Sequence, residues 1–484
     1  MRTARETPPR APVGAIPVTA LPSGALPRPA PRSAPLAFSG WGRLEFETSP
    51  AYRPESWRDL TDVLTRAPER TLVARGLGRS YGDSAMNGGG GVILTERLSR
   101  LLALDPDAAW VECEAGLSLR RLLEFLLPRG FFLPVVPGTQ FVTVGGAIAA
   151  DVHGKNQHVD GTFGGHVLEL RLAVPSGEVL RCAPDENADV FDATVGGMGL
   201  TGTIVSARLR LLAVESSFIA TSTRRAPGLA ATLAALDEDA RASRYSVAWI
   251  DGLARGAALG RSVLIRGDHL AAGDLPPRMR ARPLRLDAAR SLTVPFDLPG
   301  FVLGPVTVAA FNELYFRAAR TGTSVSGIEP FFFPLDRALH WNRLYGRRGF
   351  VQYQALLPRE TAAEGCARIL EEISRARAAS FLAVLKTTGP AGRGLLSFPR
   401  RGITLALDIP NLGEPLRALA RRLDEIVLRS AGRLYLAKDS LTDSATFAAM
   451  YPQLAAFRAV RGRVDPSGRL GSTQSRRLGL SEHP

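Results

Sequence analysis

Apolar residues recur along this chain with two different periods, and the change of period marks the elements. In residues 118–127, Leu119, Leu122, Leu123 and Leu126 fall on one face of a 3.6-residue repeat, which predicts a helix. Residues 54–64 read as an earlier helix, with Ser56 placed to cap its first turn. Short runs of β-branched and other apolar residues at 71–74, 92–94, 110–113, 167–174 and 202–212, set off by glycine turns, read as strands. The stretch up to residue 214 is therefore expected to be an α+β unit, with order beginning near Trp41. Beyond it the glycine clusters thin out. Helical patterns over 227–239, 358–378 and 414–430 alternate with strand patterns over 247–251, 351–357 and 403–409, predicting a second sheet covered by helices. Pro227 and Pro358 stand at helix starts, where a missing N–H removes no intrahelical bond. The final segment carries a strand-like 434–436, a polar Lys438-Asp439-Ser440 and a last helix from Ser444. No internal repeat is visible.

Length turns this pattern into domains. A chain of 484 residues exceeds one ordinary core, so about two domains are expected. The divisions are a Pro/Ala/Arg-rich disordered tail at 1–36, a first domain at 37–214, a second at 215–432, and a segment at 433–484 that completes the first. The net charge is +14, but residues 1–38 hold five Arg against one Glu, and residues 461–484 hold five Arg against Asp465 and Glu482. Half of the excess thus sits at the ends. No basic block or zinc-finger spacing argues for nucleic acid. The excess reads as solvated tails, or as attraction to anionic lipid heads or a phosphorylated substrate. Cys113, Cys182 and Cys366 are far apart, in no metal spacing, and fit buried thiols in a reducing compartment. With no run long enough to span a bilayer and no signal-peptide core, the sequence by itself points to the cytoplasm.

Three glycine clusters carry the chemistry. Arg75-Gly-Leu-Gly-Arg-Ser-Tyr-Gly-Asp83 follows a predicted strand, where glycines let backbone N–H groups converge on an anion such as a pyrophosphate. It is neither a Rossmann fingerprint nor a P-loop, because no G-x-G-x-x-G opens a helix and no Gly-Lys-Ser/Thr follows. Pro137-Gly-Thr-Gln140 leads into Val142-Thr-Val-Gly-Gly-Ala-Ile-Ala-Ala-Asp-Val-His-Gly-Lys-Asn156, whose small residues permit close approach of a flat ligand. The third cluster is Thr194-Val-Gly-Gly-Met-Gly-Leu-Thr-Gly202. Together they suggest backbone lining along an extended dinucleotide.

These clusters resemble the FAD domain of vanillyl-alcohol-oxidase-type (PCMH-type) flavoenzymes, which carry an R-G-x-G-[HR]-S loop, a P-G-T/x-V-G-G-A stretch and a late G-G-x-G-x-x-G-I segment. His153-Gly-Lys-Asn156, Phe398-Pro399 and Tyr435-Leu-Ala-Lys-Asp-Ser440 narrow the resemblance to the decaprenylphosphoryl-β-D-ribofuranose 2-oxidase family, from about Trp41 to Asp465. The resemblance implies a two-lobed FAD domain with a substrate domain inserted, its mostly antiparallel sheet lying over the isoalloxazine. It implies a pyrophosphate loop of Ala74, Arg75, Gly76, Leu77, Gly78, Arg79, Ser80, Tyr81, Gly82, Asp83 and Ser84. The rest of the cofactor would meet Gly138, Thr143, Val144, Gly145, Gly146, Ala150, Asp151, Val152, His153, Ile204 and Tyr435. Lys438 would stabilise negative charge at the flavin pyrimidine edge. Where several relatives have an attachment His, this chain has Arg79, so FAD is expected to be non-covalent.

By the same resemblance, Tyr81, His153, Lys155, Trp249, Gln352, Gln354, Lys386 and Lys438 form the substrate pocket, and no metal is implied. Gln352 and Gln354 share a strand face by simple alternation. The implied reaction oxidises the 2-hydroxyl of a polyprenyl-phosphoryl ribose, with Tyr81, His153 or Lys438 as candidate base and a quinone or oxygen as final acceptor. An NAD(P)H-dependent keto-sugar reductase would complete the epimerisation. Such a substrate implies peripheral work at a membrane surface, on either the cytoplasmic or the periplasmic face. An aldonolactone or alditol oxidase acting on a small soluble sugar is the alternative. The chain departs from family members at Thr404 and Ala406, where they place Asn and Cys. That Cys is where nitro-aromatic inhibitors attach, so insensitivity to them is expected, without loss of activity.

Overall fold

Short apolar runs do pair as strands, and the pairing sorts them into sheets in the computed structural model, which describes residues 30–286, 291–378 and 381–480. β1 (Ala34–Phe38), β2 (Glu47–Tyr52), β3 (Leu72–Arg75) and β4 (Gly91–Leu94) form a four-stranded sheet in the order β1-β2-β4-β3. β4 is parallel to both neighbours and buried throughout, which its unbroken Gly-Val-Ile-Leu run allows. The helix Trp57–Arg66 begins where the Ser56 side chain accepts from the Asp59 N–H, and it buries Leu60, Val63 and Leu64 beside Leu72 and Ile93.

A second sheet holds β5 (Leu101–Asp105), β6 (Trp110–Glu114), β8 (Val167–Ala173), β9 (Val179–Cys182) and β10 (Thr203–Arg210), antiparallel in the order β5-β6-β10-β8-β9. A small pair, β7 (Phe131–Phe132) with β11 (Leu212–Ala213), stands apart from it. The helix Leu119–Leu126, capped by Ser118, buries all four of the leucines that predicted it.

The largest sheet has eight strands, antiparallel at every pairing, in the order β16-β12-β14-β13-β19-β20-β18-β21. These are β12 (Phe218–Ala226), β13 (Tyr245–Ile250), β14 (Ser262–His269), β16 (Gly322–Gly327), β18 (Phe350–Leu357), β19 (Ala383–Thr388), β20 (Gly402–Pro410) and β21 (Arg433–Leu434). β15 (Leu292–Thr293) and β17 (Ala338–Leu339) pair separately. The helices Leu229–Ala242, Arg359–Ala376 and Glu414–Arg429 pack on the large sheet. The fold is α+β, with the large antiparallel sheet covered by helices in addition to the two smaller sheets of four and five strands.

Several boundaries differ from the sequence reading. β1 starts at Ala34, inside the stretch expected to be a disordered tail, because its residues pair with β2 from Ala34↔Ala51 to Phe38↔Glu47; residues 1–29 of that tail lie outside the described residues. The large sheet runs to Leu434, two residues past the expected edge at 432, because β21 pairs with β18. The helix expected from Pro227 begins at Leu229, after a Gly228 cap. Strands β12 and β14 escaped notice because Ser, Thr and Arg interrupt their alternation, and β19 because it ends in Lys-Thr-Thr. Two helices, Leu454–Val464 and Thr473–Arg477, follow the one that starts at Ser444. The three cysteines are buried and unpaired, and burial pushes each thiol up to about 12.

The C-terminal segment is sewn to the first sheet. Leu72 N–H donates to Arg469 O at 2.8 Å, and Gly471 N–H donates back to Leu72 O at 3.0 Å. Arg477 donates to both Asp83 oxygens, at 3.0 and 2.7 Å, and to Asp439 Oδ2 at 2.9 Å. Replacing Arg477 by Met strands two enclosed carboxylates, a loss of about 3 kcal/mol by the usual cost of breaking a buried pair. Urea unfolding should show this as a large drop in midpoint; a midpoint within error of the parent would contradict it.

Candidate active site

One cavity of about 570 Å³ runs between the glycine-rich lobes and the large sheet, a size suited to a cofactor with part of a substrate. Its first wall is the loop after β3. Among the described residues no acceptor meets the backbone N–H groups of Gly76 to Ser80. A run of free amides on a cavity wall is an anion cradle. Gly78 has φ of 62°, which glycine adopts without strain. Gly76 and Gly82 are glycine for a second reason. An added Cβ would lie 2.3 Å from Thr143 Oγ1 in the first case and 2.1 Å from Asp439 O in the second. The loop is thus clamped between two other segments of the site.

Its two arginines do different things. Arg75 donates to Ala85 O and Ser39 O, at 2.9 and 2.8 Å, bracing the loop from within. Arg79 lies 4.0 Å above the Trp41 ring, close enough for a cation–π contact, with Asp336 nearby.

The second glycine cluster forms a helix, Val144–Ala149, rather than an open loop. Its first amides are already used: Val144 N–H donates to Leu117 O, Gly145 N–H to Ala115 O, and Gly146 N–H to the capping Thr143 hydroxyl. Val144 and Gly145 therefore face the core, and neither borders the cavity, whereas Thr143, Gly146, Ala149, Ala150, Val152 and His153 do. Three further expected cofactor contacts also lie off the cavity wall. Asp83 is turned to Arg477. Asp151 is buried, accepting from Gly164 N–H and the Ser397 hydroxyl. Ile204 sits in β10, opposite Leu172. The remaining expected cofactor residues, Ala74 to Gly82, Ser84, Gly138 and Tyr435, border the cavity.

All of the expected substrate-pocket residues border it too, at the end closed by the large sheet. Tyr81 is the hinge of that end. Its N–H donates to Ala437 O at 2.9 Å, and its ring carries Lys438 Nζ 3.8 Å from the centroid. Gln354 Nε2 donates to Thr404 Oγ1 at 3.1 Å and lies 3.0 Å from His153 Nε2. With Nε2 accepting, the proton of the ring sits on Nδ1, which is buried and has no partner among the described residues. Desolvation, then Lys386 and Lys438, holds the His153 pKa well below its usual value, so the ring is neutral.

Three ammonium groups share this end. Each lysine is half-buried because it borders the cavity, and each is deep enough to be poorly solvated. Desolvation, with the proximity of Lys386, lowers Lys155 to about 7; desolvation, opposed by Asp408 and aided by Lys386, lowers Lys438 to about 7; desolvation lowers Lys386 to about 8. Lys155 Nζ also donates to Phe332 O at 3.3 Å. Crowded cations without enough counter-charge suit an anionic ligand.

Asp408 is the residue that sequence reading missed. Its carboxylate accepts from Gln352 Nε2 at 2.6 Å and from the Tyr345 hydroxyl at 3.1 Å, and Gln352 Nε2 lies 3.4 Å from the Tyr81 hydroxyl. Burial raises its pKa to about 7 against these hydrogen bonds and Lys438. Alternation along β20 could have found it, since Thr404, Ala406 and Asp408 share one face. An aromatic wall of Trp341, Phe311, Tyr315 and Phe381, along with Asp336, which accepts from the Thr139 hydroxyl and the Gln140 N–H, was also unread. Neither has a local sequence signal.

The site fits FAD on its own geometry: free amides for a pyrophosphate at one end, the small residues Gly146, Ala149 and Ala150 along one side, and an unpartnered His153 Nδ1 near buried cations at the other.

Comparison with known proteins agrees. The FAD binding domain family matches residues 50–183, and the D-arabinono-1,4-lactone oxidase family matches residues 412–478. The chain is 39% identical to a decaprenylphosphoryl-β-D-ribose oxidase of Mycolicibacterium smegmatis, over 91% of this chain and 97% of that one. It is 27% identical to an alditol oxidase of a Streptomyces species, over 91% and 99%. It is 24% identical to an L-gulono-1,4-lactone dehydrogenase of Mycobacterium tuberculosis, over 89% and 96%.

Two outcomes follow from the geometry. An anion binds the protonated lysines, so the dissociation constant of a sugar phosphate should rise as pH climbs through about 7, where Lys155 and Lys438 lose their protons, and again through about 8, where Lys386 does. Calorimetric titration across this range checks it, and a pH-independent affinity would contradict it. Ala406 borders the cavity between Gln354 and Val384. Ala406→Cys should make the protein reactive there toward a small thiol probe, with the label located by peptide mass; the parent, with its three buried thiols, should resist the same treatment.

Proposed function

The chain belongs to the decaprenylphosphoryl-β-D-ribose oxidase family of FAD-dependent oxidoreductases, and from that premise we propose that it oxidises the ribose 2-hydroxyl of a polyprenyl-phosphoryl ribose to the 2-keto sugar. The observation that carries the reading is the placement of three lysines and two glutamines around one end of the cofactor cavity. Lys386 and Lys155 bind the phosphate, and Gln352 and Gln354 orient the sugar hydroxyls. Bound FAD would supply the two-electron acceptor for the hydride of the sugar carbon, with a quinone or oxygen as final oxidant. Lys438, with a pKa of about 7, takes the hydroxyl proton at Nζ in its neutral form or opposes developing negative charge in its protonated form. Tyr81 holds Lys438 against its ring, and neutral His153 keeps Gln354 in place.

In this reading residues 37–214 and 433–480 hold FAD and residues 215–432 hold substrate, with FAD bound without a covalent link, since Arg79 offers no attachment nucleophile. An NAD(P)H-dependent reductase consumes the keto sugar. The substrate tail requires work at a membrane surface, and no helix among the described residues is long and apolar enough to cross a membrane. The match of residues 412–478 to the lactone-oxidase family favours a second reading, oxidation of a small soluble alditol or lactone. A neutral sugar gives three enclosed cations no counter-charge, which is why the phosphorylated substrate is preferred.

Substrate deuterated at C2 tests the position of oxidation. The product should be the 2-keto sugar with the label gone, by mass spectrometry. Lys438→Met should slow turnover by about a hundredfold, the usual effect of removing a charge-stabilising donor. Retention of the label, or a variant as fast as the parent, would overturn the assignment.

A further inference from the structure

An apolar stretch of surface adjoins the cavity through Phe311 and Tyr315, and it is unusual for this molecule. Half of the large hydrophobic side chains that are exposed among the described residues fall between Leu292 and Tyr315. Phe301 is 76% exposed, Val306 82% and Leu314 68%. Clusters of that kind on a soluble protein mark contact surfaces. Across residues 291–316 the residues charged at neutral pH are Asp297 and Glu313. Both are neutralised, Asp297 by Arg43 and Glu313 by Arg261 and Arg317. The segment therefore presents little charge of its own.

Its flanks are the opposite. Residues 275–286 contain Arg278, Arg280, Arg282 and Arg285, all exposed, with no acidic residue. Arg320, exposed, follows on the other side, beyond the pair that Arg317 makes with Glu313. Apolar side chains bordered by arginines match the interface of an anionic bilayer, where rings and aliphatic groups enter the head-group boundary and cations meet lipid phosphates.

The helix Pro305–Ala318 joins this surface to the site. Val308 and Asn312 face inward, with Asn312 Nδ2 donating to Asp251 Oδ1 at 2.7 Å. One flank places Phe311 and Tyr315 on the cavity wall, Tyr315 with its ring 4.6 Å from that of Trp249. Leu314 continues this apolar flank outward, and Val306 stands exposed on the helix's first turn. A lipid tail leaving the cavity past Phe311 would stay on apolar surface until it reached the bilayer.

We propose that residues 292–318, flanked by these arginines, are the surface by which the protein docks on an anionic membrane, holding the cavity mouth against it. This rests on the reading of a lipid-linked substrate and adds where the membrane is met.

The test uses the full-length, FAD-loaded chain and vesicles of phosphatidylcholine, with or without phosphatidylglycerol. The parent should sediment with the phosphatidylglycerol vesicles. A Phe301→Glu, Val306→Glu, Leu314→Glu variant should bind them about tenfold or more weakly, as charged groups placed on an interfacial apolar face do. Leu101→Glu, Leu102→Glu, on a remote exposed strand, controls for added negative charge and should bind more tightly than the patch variant. Equal binding by parent and patch variant would overturn the proposal, as would equal binding by patch and control variants. Monomerisation of a parent dimer in the patch variant, with vesicle binding unchanged, would assign the surface to self-association instead. Turnover of a short-chain, water-soluble polyprenyl-phosphoryl ribose without vesicles is read in parallel, and the patch variant should match the parent there. Failure of the parent on that substrate would refute the functional reading alone, because vesicle binding is scored independently; patch-variant turnover lost together with flavin absorbance would show misfolding and void its binding loss as support, leaving Val306→Glu alone to decide by the same criterion.

Discussion

The half-buried Arg477 fork is the constraint on which the site depends. Burial alone would lower the pKa of this guanidinium, but Asp439 and Asp83 outweigh it and keep the charge fixed. One arm holds Asp83, at the end of the loop of free amides; the other holds Asp439, the neighbour of Lys438. Between these anchors the backbone of Tyr81 and Ala437 is joined by a hydrogen bond of 2.9 Å, and Tyr435 reaches both β18, through its N–H to Gln354 O, and Ala150, through its hydroxyl. The lysine of the site and the loop of the cofactor thus come from opposite ends of the chain and are positioned by one ion-paired junction. Enclosed charges of this kind give position rather than net stability.

The site gathered at that junction combines two demands that oppose each other. Three ammonium groups are drawn into a poorly solvated end, where each loses affinity for its proton, and Asp408 is drawn in with them, where it gains affinity for one. A pocket for a neutral sugar would not need this. A pocket that must hold a phosphate and also handle a hydroxyl proton near neutral pH is served by groups whose pKa values have been brought toward 7. Thr404 and Ala406 shape the wall without disturbing this set: Thr404 accepts from Gln354, and Ala406 borders the cavity with a single methyl group.

Much of this was legible in the sequence because it is local. Ser56 and Ser118 cap the helices that their positions predict, and Gln352 with Gln354 face the cavity together because strand side chains alternate. The loop from Ala74 to Ser84 was found by its glycines, whose spacing is set by backbone geometry. What escaped depends on distant partners. Val144 and Gly145 were expected to meet the cofactor, yet their amides bond Leu117 and Ala115 and neither borders the cavity. Asp83 read as a cofactor contact until its partner, nearly four hundred residues away, was visible. The helix Pro305–Ala318 was missed because its apolar residues fall on several faces and leave no single core-facing stripe. Asp408 was within reach of the alternation already applied to Gln352 and Gln354, and simply extends it.

The central claim is that this cavity selects a lipid-phosphoryl ribose. Absorption spectra of the purified holoprotein, recorded without oxygen before and after addition of polyprenyl-phosphoryl ribose, address it most directly. The account predicts that the flavin bands bleach with that substrate and persist with a free alditol or aldonolactone; bands that persist with the lipid-linked sugar and bleach with the small one would contradict it.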